Sequence, residues 1–482
     1  MTKTPSKQVF LGTFVHSKSA QELDSVRNGA VAVDEAGKIQ AVVRDAANAD
    51  DALTQALKET GWQMDNVQIT RASESEFYFP GFIDTHIHAS QFPNSGIFGK
   101  STLLDWLHTY TFPLESSLKD LTKARKVYNA VVRRTLAHGT TTAAYYATVD
   151  VGATNLLSDL CLSAGQRAFV GRTCMDRPGF NPDYYSDASP EAAAEATLAT
   201  IEHINKIDPQ HEIVAPILTP RFAPSCTEES MSALAKLQKQ HNLLAQTHIS
   251  ENENEIQLVA ELYPDSKSYA NVYDDCGLLN SKMILAHAVH LTEEEAMLIS
   301  QRRAKIAHCP CSNSSLTSGA ARVRWLWDKD IDIGLGTDVS GGYSPSILEA
   351  ARQALLVSRH VATGAVAAQQ ERCKLTVEEV LFLATRGGAQ VVGLEDKIGG
   401  FEVGKDWDAQ LIGWTCASDG DAPATNGHAT NGTPAAPRQE EGNMIVFGWE
   451  SWDDIIAKWL FCGDDRNTKS VWVKGRLVHA RG

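Results

Sequence analysis

Between residues 80 and 339 short apolar runs alternate with longer helical patterns, and this alternation limits the fold more than any other feature. The expected strands lie at 82–88, 140–147, 167–175, 212–221, 243–251, 283–291, 305–313 and 332–339. Helical patterns fall between them at 118–138, 191–207, 228–242 and 292–303. Strands that alternate with helices pair in parallel. Eight of them over this length fit a closed (β/α)8 TIM-like barrel.

The rest of the 482-residue chain has a different texture. Before residue 80 it reads as β, with runs at 8–15, 29–33 and 38–43 and a turn at Asp34-Glu35-Ala36-Gly37. A helical piece follows at 46–60. After the eighth strand come helices at 346–360 and 376–384, then β again at 408–414 and 470–479, the latter turning at Lys474-Gly475. Neither end has enough strands to bury a face alone. Segments 1–79 and 397–482 are therefore expected to form one small β-sandwich domain beside a barrel at 80–396. The stretch 416–443 is rich in Ala, Thr, Asn, Gly and Pro and is expected to be a disordered insert. Its Asn431-Gly432-Thr433 triplet matches a glycosylation acceptor by chance, since no secretory signal opens the chain.

A net charge of −15 speaks against nucleic acid and anionic membranes as partners. No apolar run reaches the length of a membrane span. Nine scattered cysteines with no Cys-x-x-Cys suit free thiols in a reducing, cytoplasmic compartment. Cys309 and Cys311, on the seventh expected strand, are read as core thiols.

In such barrels chemistry collects where strands end. The first strand ends in His86-Ile87-His88. Side chains two apart on a strand share a face, so both imidazoles project together. The fourth ends in Thr219-Pro220-Arg221-Phe222 and the fifth in Thr247-His248-Ile249-Ser250-Glu251. The sixth carries His287, and the eighth ends in Gly336-Thr337-Asp338. One polar strand end is an ordinary cap; several together point to a site. His86, His88, His248 and Asp338 offer nitrogens and a carboxylate, a set that suits one zinc with a position open to water. A second, bridging metal would want an extra ligand such as a modified lysine at the fourth strand end, and 212–221 contains none. Glu251, at the strand-to-helix corner, is placed for a proton shuttle. Asp338 can touch the metal and take a proton from water, and His287 can steady a developing oxyanion. Glu253 and Glu255 are expected as surface carboxylates, and His290 and His308 as structural.

The strand-end pattern, with Phe79-Pro80-Gly81 before the paired histidines and Ile398-Gly399-Gly400-Phe401 near the end, resembles the amidohydrolase superfamily. Further runs narrow it: His86 to Gln91, Trp106 to Pro113, Gly165 to Gly171, Thr219 to Phe222, His248 to Asn252, Leu335 to Tyr343 and Gly463 to Asn467. These resemble the barrel-type family of animals and fungi that deaminates guanine. The resemblance implies hydrolysis of guanine to xanthine and ammonia in purine catabolism, one zinc per chain and a homodimer. It places zinc on His86, His88, His248 and Asp338. Substrate contacts fall on Gln91, Arg221, Phe222 and Glu251, beside the ligands His88, His248 and Asp338. Arg221 has only donors and suits a 6-carbonyl oxygen; the amino group of adenine would face it donor to donor. Gln91 can read a ring edge and Phe222 can stack on the base. One departure is Ala286-His287-Ala288, where the family has Ala-His-Gly. The alternatives are the same fold acting on 8-oxoguanine, a pterin or a triazine, or a non-catalytic scaffold. The unrelated zinc deaminase fold is excluded because its Pro-Cys-x-x-Cys is absent.

Overall fold

Eight parallel strands pair in chain order: Phe82–His88, Thr140–Tyr146, Arg167–Gly171, Val214–Pro220, Leu244–Ile249, Met283–His287, Lys305–His308 and Ile333–Leu335. The computed structural model that defines them describes residues 6–417 and 442–481. The expected insert at 416–443, but for its edges, and the Asn431 triplet lie outside the described residues.

The segment that follows the eighth strand meets the first strand and closes the ring. The Asp338 amide donates to the His86 carbonyl at 2.9 Å, and the His88 amide to the Val339 carbonyl at 3.1 Å. Gly336 permits that approach, since a Cβ there would lie 2.8 Å from His86 Cβ and 2.9 Å from Cys309 Sγ. Asp84 clamps the same seam. Its carboxylate accepts from the Thr337 amide at 3.0 Å and the Thr337 hydroxyl at 2.5 Å.

Helices form the outer layer, and their starts are written in the sequence. Asp120, Asp150, Ser189, Thr227, Thr292 and Ser346 each cap a helix by accepting from free backbone amides of its first turn. Helix Leu121–Ala137 buries Ala124, Val127, Tyr128, Val131 and Val132, the helical stripe that packs on Ile87, Tyr145 and Val170 of the barrel.

The seventh strand is shorter than expected. It ends at His308, and Pro310 opens the helix Pro310–Ser315. Proline has no amide to give a strand ladder and suits the first turn of a helix. Cys311 therefore sits on a helix, not a strand, and both cysteines are buried thiols.

The two ends of the chain meet in one eight-stranded sheet. Its join is the antiparallel pairing of Glu76–Pro80 with Ala409–Gly413. The turn expected at Lys474-Gly475 links Thr468–Val473 to Arg476–Ala480. Phe10 and Trp472 lie on strands three places apart in the sheet order, yet their rings are 5.3 Å apart. A flat sheet would separate them by about 14 Å. The sheet is thus folded over a core of Phe10, Phe14, Tyr78, Trp407 and Trp472. Helix Ala49–Thr60 packs Ala52, Leu53 and Ala56 on the other face, against Val9, Leu11 and Ala30.

A buried ion cluster fastens the sheet to the barrel. At the start of the third barrel strand, Arg167 donates to Asp408 and Asp406, both at 3.1 Å. All three side chains are buried. Arg167→Met is expected to destabilise the protein by about 3–5 kcal/mol, because buried Asp408 loses its guanidinium partner while Asp406 keeps only Lys38 at 3.0 Å. The shift in denaturant midpoint measures this; a shift near zero would mean that solvent or a neighbouring group compensates both aspartates.

Candidate active site

The barrel strands deliver the expected side chains to one rim. Ile87 turns into the outer core, while His86 and His88 turn into the barrel. His86 Nε2 lies 3.2 Å and His88 Nε2 3.4 Å from the same oxygen, Asp338 Oδ1. The Nε2 atoms of His88 and His248 are 3.2 Å apart. His287 joins them, its Nε2 standing 3.4 Å from Glu251 Oε2 and 3.7 Å from Asp338 Oδ2. Ligand-type atoms of His86, His248, His287 and Asp338 all fall within 4.8 Å of one another. Tertiary structure thus adds His287 to the atoms close enough to share an ion, beside the set proposed from the sequence.

The chemistry of these donors fits a divalent metal. His248 Nδ1 donates to the Arg221 carbonyl at 2.6 Å, so in the neutral ring the Nε2 lone pair faces the cluster. Burial, followed by the neighbouring imidazoles, pushes His88 and His248 well below the ordinary histidine range, which keeps both rings neutral. The buried Nε2 atoms of His86 and His287 make no hydrogen bond of acceptable geometry among the described residues. Burial would raise the Asp338 carboxyl, but His86, His287 and His248 outweigh it and hold the group at about 2.

Beside the cluster lies a cleft lined by Gln91, Arg221, Phe222 and Glu251 together with His88, His248 and Asp338. Arg221 is buried and paired with Glu115 at 2.7 Å. Phe222 packs edge-on to Phe180 with 5.5 Å between ring centres. Glu251 accepts from the Ser318 hydroxyl at 3.0 Å through Oε1, which leaves Oε2 facing His287. Burial pushes its carboxyl up to about 7. For His287 burial pulls downward, but the Glu251 and Asp338 charges outweigh it and raise the imidazole above its ordinary value.

Sequence reasoning misplaced Glu255. Glu253 is exposed as expected, but Glu255 is buried. It accepts from the Glu251 amide at 2.9 Å, the Asn252 amide at 3.2 Å and the Tyr269 hydroxyl at 2.7 Å. It is the third residue of the helix that Asn252 caps, and its side chain reaches back to complete a capping box. That spacing was visible in the sequence; the acidic run around it hid the signal. His290 supports the same corner, with Nε2 donating to the Ser318 carbonyl at 2.6 Å. His308 is buried in the core and pushed down to about 3 by burial. The apolar walls Leu103, Trp106, Leu107 and Leu316 were not singled out individually, because apolar type alone does not separate a cleft wall from core.

Ala288 sits at φ +50°, a left-handed conformation that glycine adopts without strain. Ala288→Gly is expected to change stability by less than about 1 kcal/mol, because relief of strain offsets the greater freedom glycine gains on unfolding. Thermal melts check this; a loss of several kcal/mol would show that the Ala288 methyl is needed for packing.

The family model described as "Amidohydrolase family" matches residues 77–478. A protein of Schizosaccharomyces pombe named probable guanine deaminase is 44% identical over 98% of this chain and 83% of its own length. The guanine deaminase of Homo sapiens is 40% identical over 98% of this chain and 97% of its own. A crystal structure described as guanine deaminase from C. acetobutylicum with guanine bound in the active site superposes with a TM-score of 0.81. It is 29% identical, and the match covers 98% of this chain and 99% of that one. With an eight-stranded parallel barrel, a rim of histidines and an aspartate, and a family match over residues 77–478, the chain belongs to the amidohydrolase family.

Proposed function

We propose that this chain hydrolyses guanine to xanthine and ammonia in purine catabolism, using one zinc held by His86, His88, His248 and Asp338. Relatives that carry the guanine deaminase name match it over 98% of its length. The observation that carries the reading is a single cleft in which Arg221, Gln91 and Glu251 face the histidine and aspartate cluster. Zinc bound there supplies hydroxide near neutral pH. The chain's own residues do the rest. Arg221 donates to the 6-carbonyl oxygen of the base, Gln91 reads the ring edge beside it, and Phe222 stacks on the ring. Asp338, ionised, accepts the proton of the attacking water. Glu251 gives a proton to the ring nitrogen next to C2, which makes that carbon electrophilic. His287 steadies the oxygen that adds to C2. Asp338 passes the water proton to the amino group, the C2–N bond breaks and ammonia leaves, and the proton on the new C2 oxygen returns to Glu251.

Ammonia release from guanine, with and without a chelator, tests this. Turnover abolished by chelation and restored by zinc is expected, with iron tried in parallel. Guanine is expected to be preferred over 8-oxoguanine, a pterin and an aminotriazine by at least about a hundredfold in kcat/KM. No ammonia from guanine in the zinc-loaded protein would end the reading.

The acid role of Glu251 also sets a pH dependence. The carboxyl must carry the proton it gives, so kcat/KM is expected to fall as pH rises past the Glu251 pKa. That limb lies at or below about 7 in the zinc-loaded protein, since a nearby cation favours the ionised form. A rate that stays flat to pH 9 would remove this role.

The reading extends to a barrel at 80–396 flanked by one domain built from 1–79 and 397–482, and to a homodimer in the cytoplasm. No helix among the described residues is long and apolar enough to cross a membrane. Light scattering should give twice the chain mass of 52.4 kDa. A mass of one chain would remove the dimer.

A further inference from the structure

Glu115 lies in the short helix Phe112–Ser116, is wholly buried, and has no place in the mechanism above. Its carboxylate gathers side chains from three other parts of the chain. Oε2 accepts from Arg221 Nη1 at 2.7 Å and from the Tyr185 hydroxyl at 2.6 Å. Oε1 accepts from Gln91 Nε2 at 2.8 Å and from Arg221 Nη2 at 3.3 Å. A carboxylate has about four acceptor positions, and here all are taken. Glu115 therefore has no capacity left for substrate and acts only through its partners.

Two of those partners are the residues that face the base. Gln91 is held at both ends, since its Oε1 also accepts from the Ser340 amide at 3.2 Å. Turning the Gln91 amide over would set its oxygen against the Glu115 carboxylate and its NH2 against the Ser340 amide. Glu115 thus decides which end of the Gln91 amide is donor and which is acceptor. The bidentate pairing likewise fixes the plane of the Arg221 guanidinium, which also stacks 5.1 Å from the centre of the Phe112 ring.

We propose that Glu115 is the specificity-positioning residue of this site: by anchoring Gln91 and Arg221 together it fixes the order of donors and acceptors presented to the 6-oxo edge of the base. This rests on the guanine-deaminating reading. A purely structural Glu115 would affect all substrates alike. A positioning Glu115 controls the difference between a base that has the 6-carbonyl and one that lacks it.

The test compares guanine with 2-aminopurine, which carries the same 2-amino group but hydrogen at position 6. The wild-type, zinc-loaded protein is assayed first; if it releases no ammonia from guanine, the functional reading fails rather than this inference. Glu115→Gln keeps the shape of the side chain, removes its charge, and leaves the Ser340 amide as the group that still orients the Gln91 amide. It is expected to keep zinc content and to raise KM for guanine more than it lowers kcat. The guanine to 2-aminopurine ratio of kcat/KM should fall by at least about tenfold. Glu115→Asp, which restores the charge at a shorter reach, should recover part of that ratio. A ratio within about twofold of wild type in a folded Glu115→Gln protein overturns the proposal. If that variant does not fold, Tyr185→Phe removes one donor from Glu115 without touching the base. A fall in the ratio of about threefold or more is then expected, and an unchanged ratio overturns the proposal equally.

Discussion

Glu251→Gln is expected to bind zinc and guanine as the wild type does and to lose turnover by about 10²–10⁴-fold. The substitution is nearly isosteric, and with the amide oxygen at the Oε1 position the new NH2 faces His287 Nε2, 3.4 Å from Oε2. The Ser318 hydroxyl that donates to Oε1 can donate equally to the amide oxygen. The Glu251 amide remains tied to Glu255. What disappears is the proton. Burial holds the Glu251 carboxyl at about 7, so near neutral pH it exists in both forms and can give a proton and take it back. An amide does neither. Equilibrium binding of guanine together with single-turnover kinetics separates the two effects. A variant that turns over near the wild-type rate removes Glu251 from the proton path, and one that no longer binds guanine assigns it to recognition alone.

Asp338→Asn is expected to reduce turnover at least about a thousandfold and to lower the zinc bound per chain. The backbone at this position has φ +47°, which asparagine tolerates well, so the fold should survive. The loss is chemical. Oδ1 lies 3.2 Å from His86 Nε2 and 3.4 Å from His88 Nε2, and Oδ2 3.7 Å from His287 Nε2. The carboxylate thus brings one negative charge against three imidazoles. Its pKa near 2 keeps that charge through the whole neutral range. An asparagine offers one neutral oxygen and cannot accept the water proton. Metal analysis and ammonia release measured on the same sample check the prediction. Full zinc with near wild-type turnover would move both roles to another residue, such as Glu251, the other carboxylate lining the same cleft.

The sequence by itself determined the alternation of strands and helices, the strand on which His86 and His88 share a face, and the polar strand ends that hold Arg221, His248, Glu251 and Asp338. These signals are local: a period of two along a strand, a change of texture into a helix, a cap such as Asp120 or Thr292. It also foresaw that the two chain ends combine, because neither had strands enough to bury a face.

Only the tertiary structure decided which side chains meet. Glu115 and Arg221 are 106 positions apart, and Asp84 and Thr337 are 253 apart, so no spacing announces either contact. His287 entered the ligand-capable group because the ring closes and brings the sixth strand end within reach of the first and eighth. Glu255 was misread because burial depends on what covers a helix start, here Tyr269 from a later segment. Periodicity fixes the direction in which a side chain leaves the backbone; closure of the barrel fixes what it finds there.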